Sequence, residues 1–373
     1  MLEFTETSIK VESECLEPYL EPSDGFGVNL SRARTRHEVI AHDILTDIMK
    51  FRRISGPQAA CASTPCQKCL APHLSKIVSA VEQGIPVTLV LPAFPGKSPN
   101  LAKVLGTLPD MAERRALEFL QHLCDRVERY YAPGARIILC SDGRVFSDVV
   151  GMRDEDVTAY QRELSRMITD PGLSSISTFD LDDVYDDLSE GLAFDQMRAR
   201  LMVQYAQPLD LLKKAISRGG KASDCSVDDR EANRLYCGIT RFLVEDATFP
   251  GQTQSRTAIQ KECRTRAYAV IQRSQAWGDW VSARFPGAIR LSIHPQTCGA
   301  KKLGIRLIEP DHWLTPWHGV AVDVGGRFML LKRSQAEQLG ARLIHLNGRP
   351  SHYVLTDENE LEKLQGAENA AEN

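Results

Sequence analysis

Several features are missing from this 373-residue chain, and each absence removes a class of function. No stretch approaches the about 20 consecutive apolar residues that a membrane helix needs. The opening segment, MLEFTETSIKVESECLEPYLEPSD, is acidic and has no basic start followed by an apolar run, so a cytoplasmic location is the simplest expectation. Positive charge is not in excess. With 45 Lys and Arg against 49 Asp and Glu, the net charge is -4, which argues against a dedicated nucleic-acid or anionic-membrane binder. Neither G-x-G-x-x-G nor a P-loop occurs, so neither motif-borne nucleotide site is expected. Internal repeats and low-complexity tracts are also missing. The ten cysteines are scattered. Cys124, Cys225, Cys237 and Cys263 fall in helix-like segments and Cys140 at a strand end, as expected of reduced thiols used as small apolar residues. A chain of this length can bury roughly 75 % of its unfolded surface, so its core needs no disulfide or metal.

What remains alternates strand and helix signals. GIPVTLV reads as a buried strand. Asp110 and Glu113 form a capping-box pattern ahead of the amphipathic MAERRALEFLQHLCDRVERYY, which ends before Pro133 and Gly134. ARIILC enters a second strand, a polar helix is expected from about Asp154 to Thr169, and SISTFD at 175–180 is a short strand. Long helices are expected over roughly 228–246 and 257–285, then strands in RLSIHPQ, LGIRLI and HGVAVDVGGRFMLLKR, with a hairpin at Gly325 and Gly326. This order predicts a mostly parallel sheet flanked by helices. The domain reading is an N-terminal arm at 1–35, a catalytic domain at 36–316, a small β-rich portion at 317–356 and a tail at 357–373.

Chemistry-bearing residues gather where strands end. LPAFPGKSPN leaves the GIPVTLV strand at the place where open α/β sheets put their ligand crevice, and supplies Lys97, Ser98 and Asn100. The plain alternative is a proline-rich strand exit with a solvated lysine. Arg230, Arg234 and Arg241 sit at offsets of four and eleven, within about 40° of one helix face. Such a stripe is either a solvated face or, beside a cleft, an anion clamp. His294 and His318 lie in loops at strand ends, where a hydrogen-bonded structural role competes with proton transfer. Cys61, Cys66, Cys69 and His73 make C-x4-C-x2-C-x3-H. The matching second half of a metal-ligand set is not visible, so helix-start cysteines and a capping histidine are the default and no metal is assigned.

LPAFPGKSPN, SDGRVFSDVVG, DREANRLYCGITRFLVED, CRTRAYAVIQRSQAW, RLSIHPQ and TPWHGVAV occur in an order and spacing that resemble the isocyanide (isonitrile) synthase family, also called pyoverdine/dityrosine biosynthesis proteins. The resemblance covers about residues 35–330, departing at Gly96, where a slightly larger small residue is expected. It implies a Rossmann-like α/β fold. It also implies conversion of the amine of an L-amino acid, commonly tyrosine or tryptophan, to an isonitrile with carbon 2 of ribulose 5-phosphate. A sister activity making an N-formyl aromatic amino acid is the nearest alternative, and a non-catalytic homologue binding an amino acid or sugar phosphate is a further one. The implied partners are the two small substrates and a downstream oxygenase acting on the product.

That reaction demands a deprotonated amine, clamps for two anions and exclusion of water, with acid/base groups and no redox cofactor. We therefore expect Lys97, Asp142, His294 and His318 to be catalytic. Ser98, Asn100, Ser141, Arg144, Arg230, Arg234, Arg241, Lys301 and Trp317 are expected to bind substrate, with Trp313 and Trp317 as apolar wall. Three expected outcomes follow: Lys97→Ala abolishes turnover without unfolding the protein, chelation leaves turnover unchanged, and Arg234→Ala raises the KM for the sugar phosphate.

Overall fold

The computed structural model describes residues 34–55, 61, 64–169, 171–185, 191–221, 226–310 and 314–356. The architecture below is that of the unit Arg36–Asn373; the expected arm at 1–35, but for its last two residues, and the expected tail at 357–373 lie outside the described residues. Trp313 and Cys225 lie outside the described residues.

Two helices, α1 (Arg36–Ile48) and α2 (Gln67–Gln83), precede the first strand, β1 (Val87–Leu91). The chain continues through α3 (Met111–Glu128), β2 (Ala135–Cys140), α4 (Gly143–Val150), α5 (Asp154–Ile168) and β3 (Ile176–Phe179). A helical stretch then runs through α6 (Leu181–Tyr185), α7 (Phe194–Tyr205), α8 (Leu209–Gly219), α9 (Val227–Ala247) and α10 (Arg256–Arg284). It returns to the sheet as β4 (Ile289–Ser292) and β5 (Leu303–Gly304). These five strands are parallel in the order β3-β2-β1-β4-β5.

Alternate side chains of each strand enter opposite layers, as the two-residue period of a strand requires. Leu89, Leu91, Ile137, Leu139, Ile289 and Leu291 pack with α1, α2 and α3, where Ile44, Ile77 and Leu117 are fully buried. Val90 and Cys140 face the other layer, against Leu201 of α7 and Trp277 of α10. Burial on both faces explains why these strands read as unbroken apolar runs. The helices start where the sequence supplies caps: Asp110 with Glu113 for α3, Ser226 for α9 and Ser255 for α10. Among the described residues no helix is long and apolar enough to cross a membrane.

After β5 a 3-10 turn, Pro316–His318, leads into a second, mixed sheet of β6 (Val320–Val324), β7 (Arg327–Leu331), β8 (Arg342–Leu346) and β9 (Arg349–Leu355), with the short helix α11 (Arg333–Gln338) after β7. Its order is β7-β6-β9-β8, with the Gly325–Gly326 hairpin joining β6 to β7. Ala321 and Leu330 pack on Ala112 at the start of α3, so this sheet is continuous with the main body.

In the five-stranded sheet the chain moves outward from β1 through β2 to β3, then returns to the other side of β1 as β4. Strand order therefore reverses between β1 and β4. Such a reversal marks the place, beyond the carboxyl ends of the two strands, where open α/β sheets put their ligand site.

Candidate active site

The candidate site is built from the exits of β1, β2 and β4 and from the turn before β6. At the β1 exit, Phe94 has a φ of 59°, a left-handed conformation that strains any residue with a side chain. Its surroundings hold it there. The Phe94 carbonyl accepts hydrogen bonds from Ser141 Oγ at 2.8 Å and Gln161 Nε2 at 2.7 Å, and its ring lies 5.3 Å from that of Trp317. Gly143 lets the β1 loop approach, because a Cβ there would lie 1.7 Å from the Pro95 carbonyl oxygen. Gly96, at φ 136°, also needs glycine, so its departure from the expected larger residue is a backbone requirement.

Lys97 is not in the crevice. Its side chain is fully buried, 2.9 Å from Asp110, 2.8 Å from Glu113 and 3.0 Å from the Pro316 carbonyl oxygen. Burial alone would depress its ammonium, but the carboxylates of Asp110 and Glu113 outweigh that and hold it above the ordinary lysine value. Two carboxylates share this one cation, and burial raises Glu113 to about 7. The expectation of a substrate-facing ammonium is thus corrected. Lys97 joins the β1 exit to the start of α3 and to the turn carrying His318.

Other expected binders are similarly committed to the fold. Arg144 is buried against Asp180 at 3.0 Å, Asp182 at 3.2 Å and Thr158 at 3.0 Å. Ser98 donates to Asp246 at 2.8 Å. Asn100 donates to the carbonyls of Glu245 and Thr248 at the end of α9. Ser141 is spent on the Phe94 carbonyl. Arg230, Arg234 and Arg241 are all exposed. On α9 it is Phe242 and Asp246 that meet His318, and they lie roughly 100–140° around the helix from the arginines. Arg241 instead borders a depression on the α9–α10 seam with Arg256 and Arg264. Lys301 is exposed as well.

What the crevice does hold is a string of imperfectly paired ionisable groups. Asp142, at the β2 exit, is half-buried, and its enclosed Oδ1 has no hydrogen-bond partner. Burial raises its carboxyl to about 7, against the pull of Arg290. Arg290 projects from β4 with an enclosed, unpartnered Nε, and burial lowers its pKa. Lys302, an exposed residue just before β5, has its ammonium lowered by partial burial and by the charge of Arg290. His294, at the β4 exit, is reached by solvent yet packed round by protein; burial, Arg53 and Lys302 lower its pKa. An exposed side chain with a desolvated ring is what the wall of a cleft presents.

His318 closes the string from the other side. Burial and the nearby Lys103 lower its pKa to about 3, so the ring is neutral at physiological pH. Nδ1 is 2.9 Å from Thr315 Oγ1, and Nε2 is 3.9 Å from Asp246 Oδ2, an enclosed oxygen without a partner. Asp246 in turn holds Lys103 at 2.5 Å, and Lys103 reaches Glu245 at 3.1 Å. Trp317 is buried beneath this turn and donates no wall to the crevice mouth, since its exposure is 3 %. Of the residues expected to transfer protons, Asp142 and His294 therefore lie at the exits of β2 and β4, and His318 lies in the turn that enters β6. Arg290 and Lys302 were missed from sequence. The available signal for Arg290 was a charge inside an otherwise apolar strand, which calls for a local partner or ligand.

Family comparison agrees with this architecture. A profile described as pyoverdine/dityrosine biosynthesis protein matches residues 77–344. The chain belongs to that family. It is 44 % identical over 325 residues to the L-tryptophan isonitrile synthase AmbI2 of Fischerella ambigua, covering 87 % of this chain and 94 % of the relative. It is 42 % identical over 324 residues to the L-tyrosine isonitrile synthase of Xenorhabdus nematophila, covering 87 % and 94 % respectively. The crystal structure of the PvcA protein from Pseudomonas aeruginosa superposes with a TM-score of 0.78 at 44 % identity, over 85 % of this chain and all of that one. The protein is an enzyme of the isonitrile synthase kind.

Proposed function

We propose that the protein converts the amine of an aromatic L-amino acid, tyrosine or tryptophan, to an isonitrile, with the added carbon drawn from C2 of ribulose 5-phosphate. The observation that carries this reading is the gathering of Asp142, Arg290, Lys302, His294 and His318 around the β1–β4 crevice. An amine can add to a ketone only as the free base, and Asp142, with a pKa near 7, is matched to take that proton at neutral pH. His294 and the neutral His318 serve the later proton transfers, in which a carbinolamine becomes an imine and the sugar's carbon–carbon bonds are cleaved. Arg290 and Lys302 supply the anion site, and a phosphate dianion gains most from two adjacent cations. None of the eight described cysteines is in a disulfide, which suits a reducing, cytoplasmic compartment, and the product is of a kind that an oxygenase would consume next.

Incubation of the protein with a panel of L-amino acids and ribulose 5-phosphate, followed by mass analysis, tests the reading. Tyrosine or tryptophan should lose its free amine to an isonitrile. A product heavier by one water indicates the N-formyl activity, and no consumption of any amine across the panel overturns the proposal.

The anion site has its own test. Lys302→Ala should raise the KM for ribulose 5-phosphate about tenfold, the equivalent of one charge-assisted contact at about 1.4 kcal/mol, with the amino-acid KM little changed. Arg234→Ala should leave both unchanged, because Arg234 points to solvent. If Arg234→Ala weakens the sugar phosphate and Lys302→Ala does not, the exposed stripe is the anion site after all.

A further inference from the structure

Four cysteines come together at a place remote in sequence but not in space. Cys61 and Cys66 precede α2, Cys69 lies in its first turn, and Cys298 arrives from the loop between β4 and β5. Their sulfurs all lie within 4.8 Å of one another. Cys298 Sγ is 3.5 Å from Cys61, 3.5 Å from Cys66 and 3.2 Å from Cys69, while Cys61–Cys66 and Cys66–Cys69 are 3.1 and 3.8 Å apart. These separations are far from the about 2.05 Å of a disulfide. They are close to the about 3.8 Å edge of a tetrahedron with metal–sulfur bonds of about 2.3 Å. His73, which the spacing had offered as a fourth ligand, is buried elsewhere on α2, and the fourth position belongs to Cys298.

The surroundings suit a charged centre. A divalent ion in four thiolates carries two net negative charges, and positive groups flank the cluster. The Arg52 guanidinium donates to the Cys61 carbonyl, and its Nε is enclosed without a partner. Lys68 lies against Gly299, whose φ of 82° turns the chain directly after Cys298; a Cβ there would come within 2.9 Å of the Lys68 stem. Cys66 is the N-cap of α2, so the positive end of the helix dipole faces the sulfurs. Backbone bonds between Ser55 and Gln296 and between Arg53 and Gly304 bring the two segments side by side.

We infer that Cys61, Cys66, Cys69 and Cys298 form a mononuclear zinc site. All-thiolate tetrahedral sets select zinc over oxygen-loving cations, and four protein ligands leave no open position for chemistry, so the ion is structural. Its effect is to tie the irregular segment before α2 to the β4–β5 loop, the loop that carries His294 and Lys302. The expectation that no metal is assigned is thereby replaced.

The test uses the full chain purified without chelators or metal-affinity resin. Elemental analysis should find about one zinc per chain, falling at least tenfold in Cys298→Ser. Alkylation followed by peptide mass analysis should show the four cysteines protected and the exposed Cys237 modified, with the four becoming reactive once a strong chelator removes the metal. If Cys298→Ser does not fold, the metal content and alkylation pattern of the unmodified chain decide the matter alone. Four thiols that react freely without chelator, or two disulfides among them, overturn the site; iron at equal stoichiometry overturns the choice of metal.

Discussion

Lys97→Ala should unfold or nearly unfold the protein, and loss of turnover should follow from loss of structure. The substitution strands Asp110 and Glu113 in a fully buried position without their cation, and breaking a buried ion pair by removing one partner costs about 3–5 kcal/mol. That is a large share of the about 5–15 kcal/mol by which a folded domain is stable. The damage would reach the crevice as well, since the same ammonium holds the Pro316 carbonyl next to Trp317 and His318. Glu113→Gln should cost far less, because Glu113 is already held up to about 7 and an amide oxygen can still accept the Asp110 N–H of the α3 capping box. Urea titration of the two variants separates these outcomes. If Lys97→Ala is folded, within about 1 kcal/mol of the parent, and inactive, the ammonium acts on substrate and its structural assignment here is wrong.

Asp142→Asn should lower turnover by a hundredfold or more while making the protein more stable at pH 8. The first effect is the ordinary contribution of a positioned base, about 10²–10⁴ in rate. The second follows from linkage. Unfolded, the carboxyl ionises near 3.9, whereas burial holds it to about 7 in the native state. Between those values the native state binds more protons, so stability falls as pH rises from about 4 to about 7, and the deficit is complete above that. That separation would correspond to about 4 kcal/mol. Because solvent reaches the crevice, we expect about 1–2 kcal/mol of relief in the asparagine variant. Urea midpoints at pH 5 and pH 8 test the sign, since the relief should be smaller at pH 5. Turnover within tenfold of the parent would remove Asp142 as the base, and a less stable variant at pH 8 would show that its carboxylate is not penalised.

The fold was legible in the sequence because its signals are local. Unbroken apolar runs mark doubly covered parallel strands, a capping box marks the start of α3, and two adjacent glycines mark the β6–β7 hairpin. The strand exits from which the candidate site is built were legible for the same reason, since active sites of open sheets lie beyond strand ends. The less regular helices were harder to read. α1 and α2 stand before the first strand, and α2 contains Pro72, which sequence alone counts against a helix. Neither α7 nor α8 was anticipated.

Which side chains face the crevice was not legible, because facing is decided by partners distant in sequence. Lys97 and Arg144 look like substrate clamps until Asp110, Glu113, Asp180 and Asp182 are seen to claim them. Arg290 looks like an ordinary strand residue until its guanidinium is found beside Asp142 with an unpartnered nitrogen. The three clustered cysteines of the N-terminal segment carried half of a metal pattern, and their complement stood 229 residues beyond Cys69. Sequence by itself determined the layers, the strand exits and the residue types available there. Tertiary structure alone decided which charges are neutralised inside the fold and which are left unpaired at the crevice, because Coulomb and desolvation energies depend on distance in space and not along the chain.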